Sequence, residues 1–314
     1  MRLAATIGAA VLVIAAAVAW FATRGSPGGV QVPVIPPATV RAGTAPEPPH
    51  GALVLARGHG DLAVALAARR AGGQVRLTAT VLAADGTGLS GLRVRFRAGG
   101  AVFPAATSCG PGCYASVARV GKPLSSVAVD LSGRGRPAST VGFALPPHWP
   151  VSAVALLRGA ERAFRSLRSV AYRQRLSSGP RVTNTSFWRS EAPDRLSYRS
   201  ASGDAGVIIG GRRWDLVVGG GWKRGPQSPP LRAVIPPWGA GAYDVALLGG
   251  GRLGGRAVVR FSMFEPTTPA WYTVTLDRRT LRTLDVRMTA AAHFMDNRYS
   301  AFDGPRRIRP PRGR

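Results

Sequence analysis

The groups that usually carry chemistry are scarce in this chain. It has two cysteines, four histidines and 15 acidic residues among 314. His50, His59, His148 and His293 stand far apart, and none sits at a metal-ligand spacing from another. No serine lies in a G-x-S-x-G setting. The few carboxylates fall mostly at turns or on expected solvent faces. These absences leave nucleophilic, metal-dependent and redox catalysis without a supporting constellation, so the chain reads as non-enzymatic and free of cofactors. Lysine is nearly missing too: Lys122 and Lys223 are the only ones, and a net charge of +27 rests on arginine. That charge matches the composition of an Arg-, Ala- and Gly-heavy chain, and it equally suits attraction to anionic headgroups. The arginines are scattered along expected strand faces, and the chain reads as exported, which disfavours nucleic acid as a partner.

One long hydrophobic run is present. Leu3 to Ala22 carries no charge. At 1.5 Å per residue it reaches about 30 Å, the hydrocarbon thickness of a bilayer. Arg2 precedes it and Arg24 follows. Residues 1–24 are therefore read as a transmembrane anchor or signal segment, with Ala17-Val18-Ala19 as the site at which a signal would be cut. The anchor reading makes this a single-pass protein of the cell membrane, N-terminus inside and the rest outside the cytoplasm. Residues 25–50 are rich in Pro and Gly and read as an extended linker. A proline cluster, Leu145-Pro146-Pro147-His148-Trp149-Pro150, divides the remainder into 51–147 and 148–311.

Residues 51–147 alternate with period two. Val75, Leu77, Ala79 and Val81 form one such run; Leu92, Val94 and Phe96 and then Val127, Val129 and Leu131 form others. Asp85-Gly86-Thr87-Gly88 supplies turn residues. The pattern predicts an all-β, immunoglobulin-like sandwich of about seven strands. Residues 148–311 open differently. Leu157, Ala160, Phe164 and Leu167 lie on one face of a helix placed between Val151 and Leu167, with arginines opposite. Strands follow: Val259, Phe261 and Met263; Tyr272, Val274 and Leu276; Leu284, Val286 and Met288. Asp277-Arg278-Arg279-Thr280 is the turn between the last two. A helix across an antiparallel sheet gives an α+β half-barrel. Gly219 to Gly255 is read as a Gly- and Pro-rich mobile loop. Gly249 to Gly254 fits G-x-G-x-x-G, but a strand follows it where a dinucleotide site needs a helix.

The first part resembles the FixH/YtkA-like immunoglobulin-fold envelope domains. The resemblance rests on Gly60-Asp61-Leu62-Ala63-Val64, the Val75–Val81 strand leading to Asp85-Gly86, Leu92–Phe96, Cys109-Gly110-Pro111-Gly112-Cys113-Tyr114 and Phe143-Ala144-Leu145-Pro146. It implies a link to metal stress and carries over no ligand residue. The second part resembles the outer-membrane lipoprotein carrier superfamily, including the actinobacterial lipid-binding lipoproteins. The carrying pieces are, in order, Leu156–Leu167, Val170-Ala171-Tyr172-Arg173-Gln174, Pro193-Asp194-Arg195-Leu196, Val207–Trp214, Trp271–Leu276, Asp277–Thr280, Leu284–Met288, Tyr299–Asp303 and Ile308–Pro311. That resemblance implies an apolar cavity holding a lipid or other apolar small molecule, without catalysis. Phe164, Trp188, Trp214, Phe261, Met263, Val286 and Met288 are the candidates for its wall.

Cys109 and Cys113, outside the cytoplasm, are expected to form a disulfide that clips a hairpin loop. The competing reading is a copper site, for which His293 and Met295 on one strand face are further candidates. Three functions follow: a membrane-anchored protein that binds or senses an apolar ligand, a copper-handling or copper-stress accessory protein, and an extracytoplasmic scaffold for a membrane-protein partner.

Overall fold

The computed structural model describes residues 46–311, apart from 106, 120–122, 134, 178–182, 217, 234–235, 268, 292 and 306. The expected anchor at 3–22 and most of the linker lie outside the described residues, as do Arg306, Arg312 and Arg314. Among the described residues no helix is long and apolar enough to cross a membrane.

The first part holds nine strands where alternation predicted about seven. They are β1 (Leu53–His59), β2 (Leu62–Ala71), β3 (Gln74–Leu82), β4 (Arg93–Ala98), β5 (Ala101–Pro104), β6 (Thr107–Gly110), β7 (Cys113–Arg119), β8 (Ser126–Gly133) and β9 (Arg136–Ala144). They form two sheets, ordered β1-β2-β3-β7-β6 and β5-β4-β8-β9. Leu66, Leu77, Phe96, Val129 and Phe143 meet between them. β4 is the plainest case of the underlying pattern: Val94, Phe96 and Ala98 point in, while Arg93, Arg95 and Arg97 point out. β1 is added at one edge, and β5 and β6, four residues each, close the edges of the two sheets.

β1 and β2 are buried on both faces, which explains why their alternation is hard to read. Leu53, Leu62, Val64 and Leu66 enter the sandwich core. Val54, Ala63, Ala65 and Ala67 face the other way, onto Phe264 and Trp271 of the second part. The packing is close. A Cβ on Gly58 would stand 2.8 Å from the ring of Phe294. The approach to β1 is fastened as well: Gly51 N–H donates to Asp244 Oδ1 at 2.7 Å, and Tyr243 Oη donates to Glu47 at 3.0 Å.

The second part opens with α1 (Val154–Arg165), shorter at both ends than the apolar spacing predicts. Arg162 and Arg165 sit in its last turn, where the helix dipole favours cations. Eleven strands follow: β10 (Ser169–Ser177), β11 (Thr183–Glu191), β12 (Arg195–Ser200), β13 (Ala205–Ile209), β14 (Arg212–Leu216), β15 (Trp222–Pro226), β16 (Tyr243–Leu253), β17 (Arg256–Glu265), β18 (Ala270–Asp277), β19 (Thr283–Ala290) and β20 (His293–Ser300). They make one antiparallel sheet, in the order β15-β14-β13-β12-β11-β10-β20-β19-β18-β17-β16. The closing strand β20 inserts beside β10 and joins two meanders. The Asp277 turn is present: Oδ1 accepts the Thr280 N–H at 2.8 Å and the Arg279 N–H at 3.0 Å. Those donors hold its carboxyl below the usual range.

The stretch from Gly219 to Gly255 departs from expectation. Much of it is β15 and β16, and between them the described residues 227–233 and 236–242 are irregular. That segment folds back over the sheet, with Leu231 N–H donating to Gly210 O and Gln227 N–H to Gly211 O. Glycine-rich strands hide from a propensity reading because glycine offers no side chain to alternate.

Candidate functional site

One face of the large sheet lies under α1. Cross-strand partners share a face, so the register fixes which side chains stand on it. A row of rings runs across four strands: Tyr299 of β20, Tyr172 of β10, Trp188 of β11 and Tyr198 of β12. Successive ring centres are 4.9, 6.0 and 4.8 Å apart, and the last two pairs are stacked. The row ends on Gly206 of β13, where a Cβ would stand 2.3 Å from the Tyr198 ring. Glycine there lets the tyrosine lie against the backbone. At the other end Phe164 of α1 meets Tyr299 edge-on at 5.9 Å, and Trp238 meets Phe164 at 6.4 Å.

Trp238 belongs to the 227–242 segment. The next residue fixes it: Gly239 N–H donates to Glu265 Oε2 at 2.9 Å. Glu265 is 4% exposed, and burial raises its carboxyl above the usual range despite that bond and one from Thr267.

A polar row lies alongside the rings: Asn297 of β20, Gln174 of β10, Ser186 of β11 and Ser200 of β12. Trp188 Nε1 donates to Ser186 Oγ at 2.7 Å, Ser186 Oγ to Gln174 Oε1 at 3.4 Å, and Gln174 Nε2 to Met295 Sδ at 3.1 Å. Ser200 Oγ donates to Asn184 Oδ1 at 3.0 Å. Asn297 ends this chain of bonds and joins none of it. It is 1% exposed, and both its amide atoms are buried without a partner. Burial pushes the Tyr172, Tyr272 and Tyr299 hydroxyls up, and Tyr198 up to about 12, so all four are neutral near pH 7. At the far end of the face, Arg213 is closed off by Asp215 at 2.7 Å. The wall is thus aromatic, amide- and hydroxyl-bearing, and without net charge.

The predicted wall residues divide. Phe164, Phe261, Met263 and Val286 are buried together beneath the helix, while Trp188 and Met288 stand partly exposed at the edge of the same cluster. Phe261, Met263 and Val286 are fully covered. Trp214 stands on the opposite face: it pairs with Val207, which pairs with Ser197, the neighbour of inward Tyr198. The Arg213–Asp215 ion pair takes the inward positions of β14 and turns Trp214 out. Two open clefts, about 530 and 600 Å³, lie on the sandwich, the first by Leu92, Arg95 and Tyr114 and the second by Arg97, Val102 and Phe143.

Tyr198, Trp238 and Asn297 escape the sequence reading, and Tyr172 and Tyr299 enter it only through motifs. A signal was available, since four strands each place one large ring at an alternating position. The pairing that lines them up is non-local and invisible in a linear pattern.

Cys109 and Cys113 are joined in a disulfide, with Cα atoms 5.0 Å apart, and no free thiol remains. It clips the β6–β7 hairpin. Gly112 in that turn has φ +67°, and a Cβ there would stand 2.5 Å from Val81 O. His293 and Met295 share the inner face of β20, but Met295 Sδ is engaged by Gln174 and burial lowers the His293 pKa. Among the described residues no group of three His, Cys, Asp or Glu side chains could hold a metal.

No family model and no curated protein matches the chain. Solved structures do. The Mycobacterium tuberculosis lipoprotein LppX is 11% identical with a TM-score of 0.38, over 50% of this chain and 97% of that one. A LolA superfamily protein from Nitrosomonas europaea is 10% identical with a TM-score of 0.27, over 50% of this chain and 96% of that one. MucB is 20% identical with a TM-score of 0.30, over 48% of this chain and 57% of that one.

Proposed function

We propose that the second part of this chain binds or senses a lipid or another apolar molecule on the inner face of its sheet, as a non-enzymatic protein anchored in the cell membrane by residues 3–22. The observation that carries the reading is the ring row from Tyr299 to Tyr198. It is broad and uncharged, and it is roofed by one 12-residue helix and the 227–242 segment. Aromatic walls with a few placed polar groups are the usual lining of small-molecule sites. In this reading the first part, with its immunoglobulin-type order β2-β3-β7-β6 against β5-β4-β8-β9 once β1 is set aside, is a mount, and the packing of β1 and β2 on Phe264 and Trp271 supports that role.

The test is uptake. Residues 46–314, purified without detergent, should carry cell-derived lipid visible by native mass spectrometry or take up a fluorescent fatty-acid probe. Trp188→Ala should weaken that uptake with little loss of stability, because Trp188 is only partly buried. A folded protein that carries nothing and takes up nothing would leave the scaffold reading in its place.

The same proposal assigns the contact with an anionic membrane surface to the outer face of β10–β12. There Phe187 is 57% exposed between its register partners Arg173 and Arg199, with Arg298 beyond Arg173. The sandwich covers the outer face of β17 and β18 and leaves this part open. Exposed arginines around an aromatic ring suit phospholipid headgroups, and the attraction is screened by salt.

A further inference from the structure

The inner face holds a group of buried polar atoms that make no hydrogen bond of ordinary geometry. Asn297 leaves both its amide oxygen and its amide nitrogen unpartnered. Two residues along β20, on the same face, the Tyr299 hydroxyl makes no hydrogen bond of ordinary geometry, and neither does Trp238 Nε1. The three belong together. Asn297 and Trp238 both stand within loose hydrogen-bonding reach of the Tyr299 hydroxyl, and Trp238 and Tyr299 both pack edge-on against Phe164. Each unpartnered buried group costs about 1–3 kcal/mol. Native cores rarely leave several in one place, and such groups call for a partner.

We propose that Asn297, Tyr299 and Trp238 form the seat of an uncharged polar head group, a hydroxyl or an ester, on an apolar ligand whose chain lies along the ring row. This inference rests on the ligand-binding reading above and specifies the ligand's chemistry. The donors and acceptors fit. The amide offers two N–H donors and a carbonyl acceptor, the phenol one donor and an acceptor, and the indole one donor. An alcohol or ester oxygen can take bonds from the indole and the amide nitrogen, and an alcohol can also donate to the amide oxygen.

Charge decides against an anion. The ionisable groups acting on the buried tyrosines here are Asp285, on Tyr299, and Glu265, on Tyr272. Glu265 shares the inner face, while Asp285 stands on the outer face against Arg298, so neither offers an anion a counter-charge. Arg213, a cation on this face, lies past Tyr198 and is engaged by Asp215, and Lys223, the register partner of Asp215, stands farther out and exposed. A phosphate or sulfate buried at Asn297 would have no counter-charge, a large cost in so dry a site. The direction of the ligand follows as well. From Asn297 the rings Tyr172, Trp188 and Tyr198 lead away across the sheet, with Trp188 partly exposed midway, so the head sits deepest and the chain lies along the row.

A competition among matched chains tests this. The full chain in lipid nanodiscs is given equal amounts of 1-hexadecanol, hexadecane and hexadecyl phosphate, and adducts on the released protein are weighed by native mass spectrometry. The alcohol should exceed the alkane by about tenfold, since one or two buried hydrogen bonds at about 1 kcal/mol each correspond to that ratio. The phosphate should do no better than the alkane. Asn297→Leu should bring the alcohol-to-alkane ratio to about one. Tyr299→Phe, which keeps the ring, should lower it by a smaller factor and guards against misfolding of the first variant. Equal alcohol and alkane adducts in the native chain would overturn the head-group seat while leaving apolar binding intact. A ratio unchanged in both variants would do the same, and so would a crystal structure in which one ordered water bridges the three groups and stays when alcohol binds. If no chain binds at all, it is the ligand-binding reading that fails.

Discussion

The two cores of this protein treat polar groups differently. In the sandwich, buried Tyr114 reaches across the fold and is satisfied twice: Leu92 N–H donates to its hydroxyl at 3.0 Å, and the hydroxyl donates to Leu89 O at 2.5 Å. Aliphatic side chains make up most of the rest. The sandwich cluster leaves one indole, Trp149 Nε1, without a partner, whereas under α1 the core is aromatic and leaves the Asn297 amide, the Tyr299 phenol and the Trp238 indole so in one place. Their burial is similar, so burial does not explain the difference. A core under selection for stability alone satisfies what it buries. The second core gives up that stability, which is expected of a core that must accept something else.

The largest predicted effect breaks this comparison if it is wrong. Phe96→Ala in the sandwich should cost about 3–5 kcal/mol, because a fully buried ring is replaced by a cavity. It should leave ligand uptake by the second part unchanged wherever the protein is still folded. Denaturant unfolding alongside probe uptake reads both. Uptake that falls with stability in step would show that the two cores act as one. The Ala- and Val-lined contact of β1 and β2 with Phe264 and Trp271 is where such coupling would pass.

Next in size is the disulfide. The loop it closes is short, so Cys109→Ser with Cys113→Ser should cost about 2 kcal/mol. The loss should appear in the sandwich and not in lipid uptake. Denatured, unreduced protein should show no free thiol. Stoichiometric copper(I) binding that the double substitution removes would restore the metal reading.

A smaller effect concerns the outer face. Arg173→Ser with Arg199→Ser should weaken sedimentation of residues 46–314 with phosphatidylglycerol vesicles at low salt, and raising the salt should erase the difference. Arg93→Ser with Arg95→Ser, exposed on β4 of the sandwich, serves as the control and should change little. Equal losses in the two would mean that net charge, and no particular face, sets the attraction.

What the linear sequence discloses follows the physics of each element. Where one face is wet, as in β4 or α1, period alone gives the strand or helix and the inward residues. Where both faces are covered, as in β2, alternation disappears; in β17 and β18 it gives the inner face, but Phe264 and Trp271 pass for outward residues until the sandwich is seen packed on them. The candidate site was legible in part. Phe164, Phe261, Met263 and Val286 share an apolar parity that any reader can count. Trp214 misled because an ion pair, Arg213 with Asp215, occupies the inward positions of its strand. Asn297 could not be found, since its importance lies in a missing partner, and only assembled coordinates show that.

The smallest predicted effect sharpens the contrast between the cores through pH. Glu265 is a carboxylate in the wall of the aromatic core, and burial raises its pKa above the usual 4.5. The folded chain therefore holds that proton more tightly than the unfolded chain does. Its contribution to stability is complete below about pH 4.5, declines as pH rises through the folded value, and leaves a constant penalty above it. Glu265→Gln removes the titration and keeps an oxygen to accept the Gly239 N–H. The substitution should change the thermal midpoint little at pH 4 and raise it at pH 8, with Trp238 still held over Phe164. A midpoint that falls at pH 8 would mean the ionised carboxylate is a net stabiliser there, held by Gly239 and Thr267 well enough to offset its burial. The aromatic core would then be as fully satisfied at this position as the sandwich is at Tyr114, and the unpartnered atoms at Asn297 would stand as a local feature with no counterpart in the rest of that core.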